Sequence, residues 1–162
     1  ANEGLAEALG REGIPLVRTA VGDKYVYAEM TARGWCLGGE PSGHIIFSKY
    51  QTTGDGLLTA LEVLRVMSET VCPLSALTAP YVPYPEVQAH VRVAEPGEIA
   101  SRPSVVESVA AAEAALGKEG RVLVRASGTE PVVRILVEAR EELLARRLCG
   151  MMEEIVKEEG RR

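Results

Sequence analysis

The stretch that decides the fold reads Arg125-Ala126-Ser127-Gly128-Thr129-Glu130-Pro131, with Arg134 shortly after it. Apolar, β-branched runs lie on both sides, at Arg121–Val124 and at Val132–Val137. Such runs are typical of buried strands. The sequence therefore predicts two strands joined by a polar connection.

The connection itself has the composition of an anion-binding loop. Small residues allow backbone N–H groups to converge, hydroxyls can donate hydrogen bonds, and an arginine binds two phosphate oxygens at once. Ser127, Thr129 and the arginines at 125 and 134 belong to one turn. This combination favours phosphate binding over the alternative, which is a surface hairpin with two solvated arginines.

Further elements are predicted around these two strands. Val87–Val93 alternates as a strand, and Glu141–Glu159 has the apolar spacing of an amphipathic helix. Between them, Ser104 is predicted to cap a helix over Val105–Leu116, with Glu107 completing a capping box. The order β-α-β-β-α predicts a small α+β domain, in which helices cover an antiparallel sheet.

The first half of the chain alternates between predicted helices and strands. Helices are expected at Gly4–Gly10, Asp23–Arg33 and Asp55–Val71, and strands at Ile14–Arg18, Trp35–Leu37 and His44–Phe47. Gly34 is placed to end the second helix. Thr53 can cap the third helix, and Asp55 complements its dipole. The third helix has one apolar face, formed by Leu57, Ala60, Leu61, Leu64, Met67 and Val71. Together these elements predict an α/β fold, a βα-layered unit without its first strands.

Prolines divide the chain into two predicted domains. Pro80, Pro83 and Pro85 follow Pro73 closely, and so dense a run cannot continue a helix. We expect a first domain over residues 1–79, a linker over 80–85 and a second domain over 86–162.

Three segments in order resemble the α-D-phosphohexomutases. Arg125–Pro131 resembles the phosphate loop of their last domain, and Leu37–Ile45 resembles their sugar-recognition loop, Gly-Glu-x-Ser-Gly-His. Arg18–Val26 resembles their Val-Gly-Asp-Arg/Lys stretch, and Thr53–Leu61 extends the match. The resemblance implies the C-terminal end of a four-domain enzyme. The resemblance further implies that this enzyme would transfer a phosphoryl group between C6 and C1 of an aminosugar, through a phosphoserine and a bisphosphate.

The resemblance also implies roles in the first half. Glu40 and Ser42 would contact the ring O3 and O4 hydroxyls of the sugar, although Pro41 departs from the polar residue usual there. His44 would have an auxiliary catalytic role, or else be a histidine satisfied at a strand edge. Lys24 would act as a point charge on a phosphate, or else be a solvated surface cation.

In the second half the resemblance implies a site for the phosphate that is not reacting. Its residues would be Arg125, Ser127, Gly128, Thr129 and Arg134. The contribution of Arg134 depends on the register of its strand. Glu130 has the wrong charge for a phosphate ligand and is expected to orient an arginine or a loop amide. His90 is assigned to structure.

Two parts of the family pattern have no counterpart in this sequence: the catalytic serine loop and the Asp-Gly-Asp-x-Asp-Arg magnesium loop. The only aspartates are Asp23 and Asp55, which are too far apart in sequence to suggest the clustered oxygen ligands of a Mg²⁺ site. We therefore expect Mg²⁺ in the full-length enzyme but no metal bound by this chain. The chain alone is expected to be inactive, with a phosphosugar and the missing N-terminal domains as its partners.

Composition excludes other classes of function. The 46% apolar fraction is sufficient for a packed core, and a net charge of −5 argues against nucleic-acid binding. Cys36, Cys72 and Cys149 lie in apolar runs and are typical of a reduced, cytoplasmic protein. No apolar run has the ~20 residues of a membrane span. Two alternatives stay open: a related mutase acting on glucose or mannose phosphates, and a non-catalytic module that binds a phosphorylated ligand.

Overall fold

The structure, a computed structural model, describes residues 1–161 and divides them into two units. The first unit comprises Ala1 and Leu5–Val82. The second comprises Asn2–Gly4 and residues 83–161. No helix among the described residues is long and apolar enough to cross a lipid bilayer.

The first unit consists of helices around a short β-hairpin. Its elements are α1 (Glu3–Arg11, of which Leu5–Arg11 belong to this unit), α2 (Asp23–Arg33), β1 (Leu37–Gly39), β2 (Ile45–Phe47), α3 (Gly56–Thr70) and α4 (Leu74–Thr78). The two strands pair antiparallel, with Gly38 opposite Ile46. A side chain at Gly38 would lie 2.7 Å from Val26 of α2, so the helix packs closely on the hairpin only because residue 38 is glycine.

Several predictions for this unit are confirmed, and others are wrong. Helix α2 has the predicted bounds, and Gly34 ends it in the left-handed conformation, with φ of 69°. Strand β1 begins two residues later than predicted. The strand predicted at Ile14–Arg18 is absent, because that segment pairs with no other strand in residues 1–161. An extended apolar segment forms a strand only when a neighbour satisfies its backbone groups.

Helix α3 differs from its prediction at its start and on its apolar face. Asp55, not Thr53, is the N-cap, and its carboxylate accepts a hydrogen bond of 2.9 Å from the Leu58 N–H. This bond is the main reason that the pKa of Asp55 is below its ordinary value. The apolar face is present but uncovered, since Leu57 and Leu61 are 74% and 56% exposed.

The second unit is a three-stranded antiparallel sheet covered by helices on one face, as predicted. Its elements are β3 (Glu86–Arg92), α5 (Pro96–Ala100), α6 (Pro103–Leu116), β4 (Gly120–Ala126), β5 (Val132–Ala139) and α7 (Glu142–Gly160). The strand order is β3-β5-β4, so β5 is central. Side chains of β5 on the helix side form the core together with side chains of α6 and α7. The core residues are Val133, Ile135 and Val137 of β5, Val105 and Ala112 of α6, and Leu148, Met152 and Val156 of α7.

The start of helix α6 corrects the predicted capping box. Arg102 is the N-cap, Pro103 occupies the first turn, and no side chain caps the helix. Proline suits this position because its φ is already helical and it has no N–H to satisfy. Ser104 therefore lies inside the helix and does not pair with Glu107 as predicted.

The outer face of the sheet, opposite the helices, has a buried ionic anchor. The Glu138 carboxylate is 0% exposed and accepts hydrogen bonds of 3.0 and 2.7 Å from the Arg121 guanidinium. These bonds raise the pKa of Arg121. The backbone N–H of Glu3 donates a third hydrogen bond, of 2.7 Å. Beside it, Asn2 exchanges two hydrogen bonds with the backbone of Tyr84. The first residues of the chain thus complete the second unit.

Candidate functional site

The hairpin of the first unit carries the predicted sugar-recognition loop. The Glu40 N–H donates to the His44 carbonyl at 2.9 Å, and the Gly43 N–H donates to the Glu40 carbonyl at 3.0 Å. Gly43 has a φ of 90°, which other residues rarely adopt. The loop is therefore a tight turn with a defined backbone.

The Val-Gly-Asp stretch meets this turn through the Glu40 carboxylate. Glu40 Oε1 accepts a hydrogen bond of 2.8 Å from the Gly22 N–H. Gly22 has a φ of 130°, so a side chain at this position would be strained. Lys24, two residues on, is exposed, with its ammonium group 4.8 Å from the centre of the Tyr25 ring. Two segments that are separate in sequence thus form one cluster.

A third segment reaches the same cluster at His44. The Ser42 hydroxyl lies 3.0 Å from His44 Nδ1, within hydrogen-bond distance. Gly54 packs against the other side of this histidine, and a Cβ added there would be 3.1 Å from His44 Cα. The structure therefore brings together Glu40, Ser42 and His44, with the Gly22 backbone bound to Glu40 and the Gly54 backbone packed against His44.

The predicted phosphate loop connects β4 and β5 in the second unit. The Ser127 N–H donates to the Val132 carbonyl at 2.9 Å, and the Thr129 N–H lies 3.5 Å from the Ser127 hydroxyl. A side chain at Gly128 would meet no atom within 4 Å, so the tip of the loop is open. Glu130 pairs with Arg134 at 2.7 Å, in line with the expectation that it orients an arginine.

The register of the sheet gathers positive charge behind this loop. Arg125 of β4 and Arg134 of β5 lie directly opposite each other on the outer face. Opposed side chains have Cβ atoms ~5 Å apart, and like charges in such pairs repel. Among residues 1–161, the Arg134 Nε is the buried side-chain nitrogen or oxygen that has no hydrogen-bond partner. An anion at this face would neutralise the repulsion.

The sequence predicted only a structural role for His90, and the structure shows which residue lies opposite it. It lies on β3 directly opposite Arg134, so His90, Arg134 and Arg125 form one row across the outer face. The isolated histidine carried no signal in the sequence, because its neighbours on the sheet are distant along the chain.

The described residues do not form a metal centre. Within residues 1–161, no group of three or more His, Cys, Asp or Glu side chains could hold a metal ion. Both aspartates have local partners. Asp23 accepts from the Lys24 N–H at 2.7 Å, and Asp55 caps α3. Neither aspartate belongs to a cluster of possible metal ligands among the described residues, and we derive no chemical step from Mg²⁺.

Comparison with known proteins assigns the chain to a family. Residues 1–84 match the model of the phosphoglucomutase/phosphomannomutase α/β/α domain III, and residues 89–155 match that of the C-terminal domain. The chain belongs to the phosphoglucomutase/phosphomannomutase family. The resemblance noted in the motifs is thereby confirmed.

Curated members of this family are similar over nearly the whole chain. The chain is 50% identical to the phosphoglucosamine mutase of Desulforudis audaxviator over 156 residues, which are 96% of this chain and 34% of that protein. It is 48% identical to the phosphoglucosamine mutase of Saccharopolyspora erythraea over 155 residues, 96% of this chain and 35% of that protein. The chain thus spans about a third of the length of these two relatives.

Two solved structures share the fold. N-acetylphosphoglucosamine mutase of Aspergillus fumigatus is similar with a TM-score of 0.84 at 23% identity, covering 99% of this chain and 37% of that one. A phosphoglucomutase/phosphomannomutase family protein of Burkholderia thailandensis is similar with a TM-score of 0.68 at 21% identity, covering 98% of this chain and 36% of that one.

Proposed function

We propose that this chain is the substrate-recognition part of a phosphoglucosamine mutase. The complete enzyme would interconvert glucosamine 6-phosphate and glucosamine 1-phosphate through a phosphoserine and a bisphosphorylated intermediate. The phosphoserine and the Mg²⁺ site would lie outside this chain, in the remaining two thirds of the protein. The identity of 50% to a phosphoglucosamine mutase supports this proposal.

The observation that carries the proposal is the pair of opposed arginines behind the loop. Arg125 and Arg134 face each other on the outer face, and the buried Nε of Arg134 has no partner within residues 1–161. We propose that Ser127, Gly128 and Thr129 contribute hydroxyl and backbone donors to a phosphate that these arginines bind. Holding the phosphate that is not reacting would position the other end of the sugar for transfer.

The first unit would recognise the sugar. Glu40 uses one carboxylate oxygen for the Gly22 N–H, which orients the group and leaves the other oxygen to accept from a sugar hydroxyl. Ser42 would contact a neighbouring sugar hydroxyl, and His44 would have the auxiliary catalytic role. Lys24 would supply a positive charge for a phosphate oxygen.

A chemical-shift titration of the chain with glucosamine 6-phosphate tests this function. Saturable shifts are expected at Ser127–Thr129, with a dissociation constant of roughly 1 mM, because the chain supplies only part of the binding surface. Arg125→Ala should abolish them. Arg146→Ala is the matched control, since it removes the same charge from α7, which covers the other face of the sheet.

The titration also separates the alternatives. Equal shifts with glucose 6-phosphate or mannose 6-phosphate would favour a mutase of broader sugar specificity. Shifts with inorganic phosphate alone, and none at Glu40–His44 with any sugar phosphate, would favour a non-catalytic phosphate-binding module. A folded chain that responds to none of these ligands would contradict the proposed phosphate site.

A further inference from the structure

Two residues contact His44, one through the Ser42 hydroxyl and the other through the Gly54 backbone. The Ser42 hydroxyl lies 3.0 Å from Nδ1 of the imidazole ring. On the other side, the backbone of Gly54 packs against the histidine. The second ring nitrogen, Nε2, has no hydrogen-bond partner among the residues that the structure describes.

The glycine at position 54 is required by space and not by backbone conformation. Its φ lies outside the left-handed region, so alanine would be allowed by the backbone. A Cβ there would lie 3.1 Å from both Cα and Cβ of His44 and 3.2 Å from Cδ2 of its ring. These contacts are tighter than normal packing, and the histidine would have to move. Gly56, two residues on, has no atom within 4 Å of its Cβ position.

The hydrogen bond to Ser42 selects one form of the neutral ring. A neutral imidazole has one donor and one acceptor nitrogen, and the bond made by one nitrogen decides the state of the other. A hydroxyl is a stronger donor than a neutral ring N–H, and the ring nitrogen lone pair is a stronger acceptor than a hydroxyl oxygen. These strengths favour the arrangement in which the Ser42 O–H donates to Nδ1 and the proton of the ring is on Nε2.

We propose that Ser42 and Gly54 are positioning residues for His44, which they hold in the Nε2–H form with that N–H directed away from both. This inference rests on the proposed function only for the role of the Nε2–H group, which would donate a hydrogen bond to an oxygen of the phosphosugar. The Ser42 oxygen keeps its lone pairs and can still accept from a sugar hydroxyl. One hydroxyl would then link sugar recognition to the orientation of the histidine.

The test is the protonation pattern of the His44 ring, read from long-range ¹H–¹⁵N correlations of the complete 162-residue chain. Spectra are recorded without ligand at about pH 8.5, above the ordinary titration range of imidazole. The Nε2–H form should dominate. Ser42→Ala should lower the ratio of Nε2–H to Nδ1–H about fivefold, as expected for the loss of one hydrogen bond. Ser42→Thr keeps the hydroxyl and should restore the ratio.

Gly54→Ala should displace the ring by a few tenths of an ångström and lower the ratio, by less than Ser42→Ala does. Gly56→Ala is the matched control in the same segment and should leave the ratio unchanged. The amide signals of α3 report whether each variant keeps its fold, and Ser42→Ala tests the hydrogen bond even if Gly54→Ala unfolds the loop. A mainly Nδ1–H ring in the unaltered chain, or an unchanged ratio in Ser42→Ala, would overturn the proposal. An unchanged ratio in a folded Gly54→Ala variant would overturn the role of Gly54.

These readings use no phosphosugar, so they fail or succeed independently of the proposed function. If the titration with glucosamine 6-phosphate fails while the ring responds as described, the positioning of His44 stands and the assigned substrate does not. If Arg125→Ala abolishes binding while the ring ignores Ser42→Ala and Gly54→Ala, the proposed function stands and this inference does not.

Discussion

Arg121→Met tests the ionic anchor on the outer face of the second unit. The substitution keeps an apolar stem but removes the guanidinium, which donates two hydrogen bonds to Glu138. The Glu138 carboxylate is fully buried and would keep only the Glu3 N–H as a donor, at 2.7 Å. A buried charge would then have lost its counter-ion.

The structure sets the size of the effect. Removing one partner of a buried ion pair costs about 3–5 kcal/mol, whereas an exposed pair is worth about 0–1 kcal/mol. The remaining Glu3 N–H and the 25% exposure of the Arg121 side chain indicate the lower end, about 3 kcal/mol. With a urea dependence of about 1.2 kcal/mol per molar, the midpoint of unfolding should fall by about 2–3 M.

Cys149 reports unfolding of the second unit alone. Its thiol is 2% exposed on α7, while Cys36 and Cys72 belong to the first unit. Burial raises the pKa of the Cys149 thiol, which further slows its reaction with a thiol reagent in the folded state. Pulsed alkylation at increasing urea concentration, followed by mass spectrometry of the Cys149 peptide, therefore measures the midpoint.

Two further variants make the test decisive. Arg146→Met breaks an exposed pair with Glu142 on α7 and should shift the midpoint by less than about 0.5 M. The double change Arg121→Met with Glu138→Leu removes both charges and should be less destabilising than Arg121→Met alone, because no buried charge is left. If Arg121→Met shifts the midpoint no more than Arg146→Met does, the reasoning about a buried anchor is refuted.

Three other outcomes are expected. Gly120→Ala should destabilise the second unit by about 1–3 kcal/mol in the same alkylation assay, because its Cβ would lie 2.8 Å from Leu116 and closer still to the Glu138 carbonyl. Gly128→Ala is the control and should leave the midpoint unchanged, because the space around residue 128 is open. The Leu58 amide signal should titrate with a midpoint below 3.8, the ordinary pKa of an aspartate, because the hydrogen bond from the Leu58 N–H lowers the pKa of Asp55. The cap therefore stabilises α3 fully above pH 3.8, and this stabilisation is lost as the pH falls through the lowered pKa. A Leu58 midpoint at or above 3.8 would contradict the cap. The chain alone should show no mutase activity, and the same residues should support activity when they replace the matching third of the Desulforudis audaxviator phosphoglucosamine mutase; an inactive but folded chimera would count against the proposed function.

Elements that depend on neighbouring residues could be predicted from the sequence. The bounds of α2 and the left-handed Gly34 follow from signals within a few residues of each other. The antiparallel sheet covered by helices follows from the order and periodicity of the elements. One prediction failed where two local signals competed. Ser104 and Pro103 both suit the start of a helix, and the helix begins at Pro103.

The sequence also identified the two candidate loops, since their small residues, hydroxyls and charges are adjacent in the chain. It could not show which distant residues would meet them. Gly54 behind His44 and His90 beside Arg134 depend on the packing of the first unit and on the register of the sheet. Their roles at the candidate site remain predictions.

By itself, the sequence determined most of the helices and strands and the composition of both loops, because these depend on interactions between residues close in the chain. The exceptions are the strand predicted at Ile14–Arg18, which is absent, and the short helices α4 and α5, which were not predicted. Only the tertiary structure decided that Glu3, Arg121 and Glu138 form one buried anchor, and that Ser42 and Gly54 hold His44. The anchor joins segments that are far apart in sequence, and Gly54 contacts His44 from a separate segment, whereas Ser42 is only two residues from His44. The long-range contacts depend on burial and on strand register, which arise only when the whole chain packs.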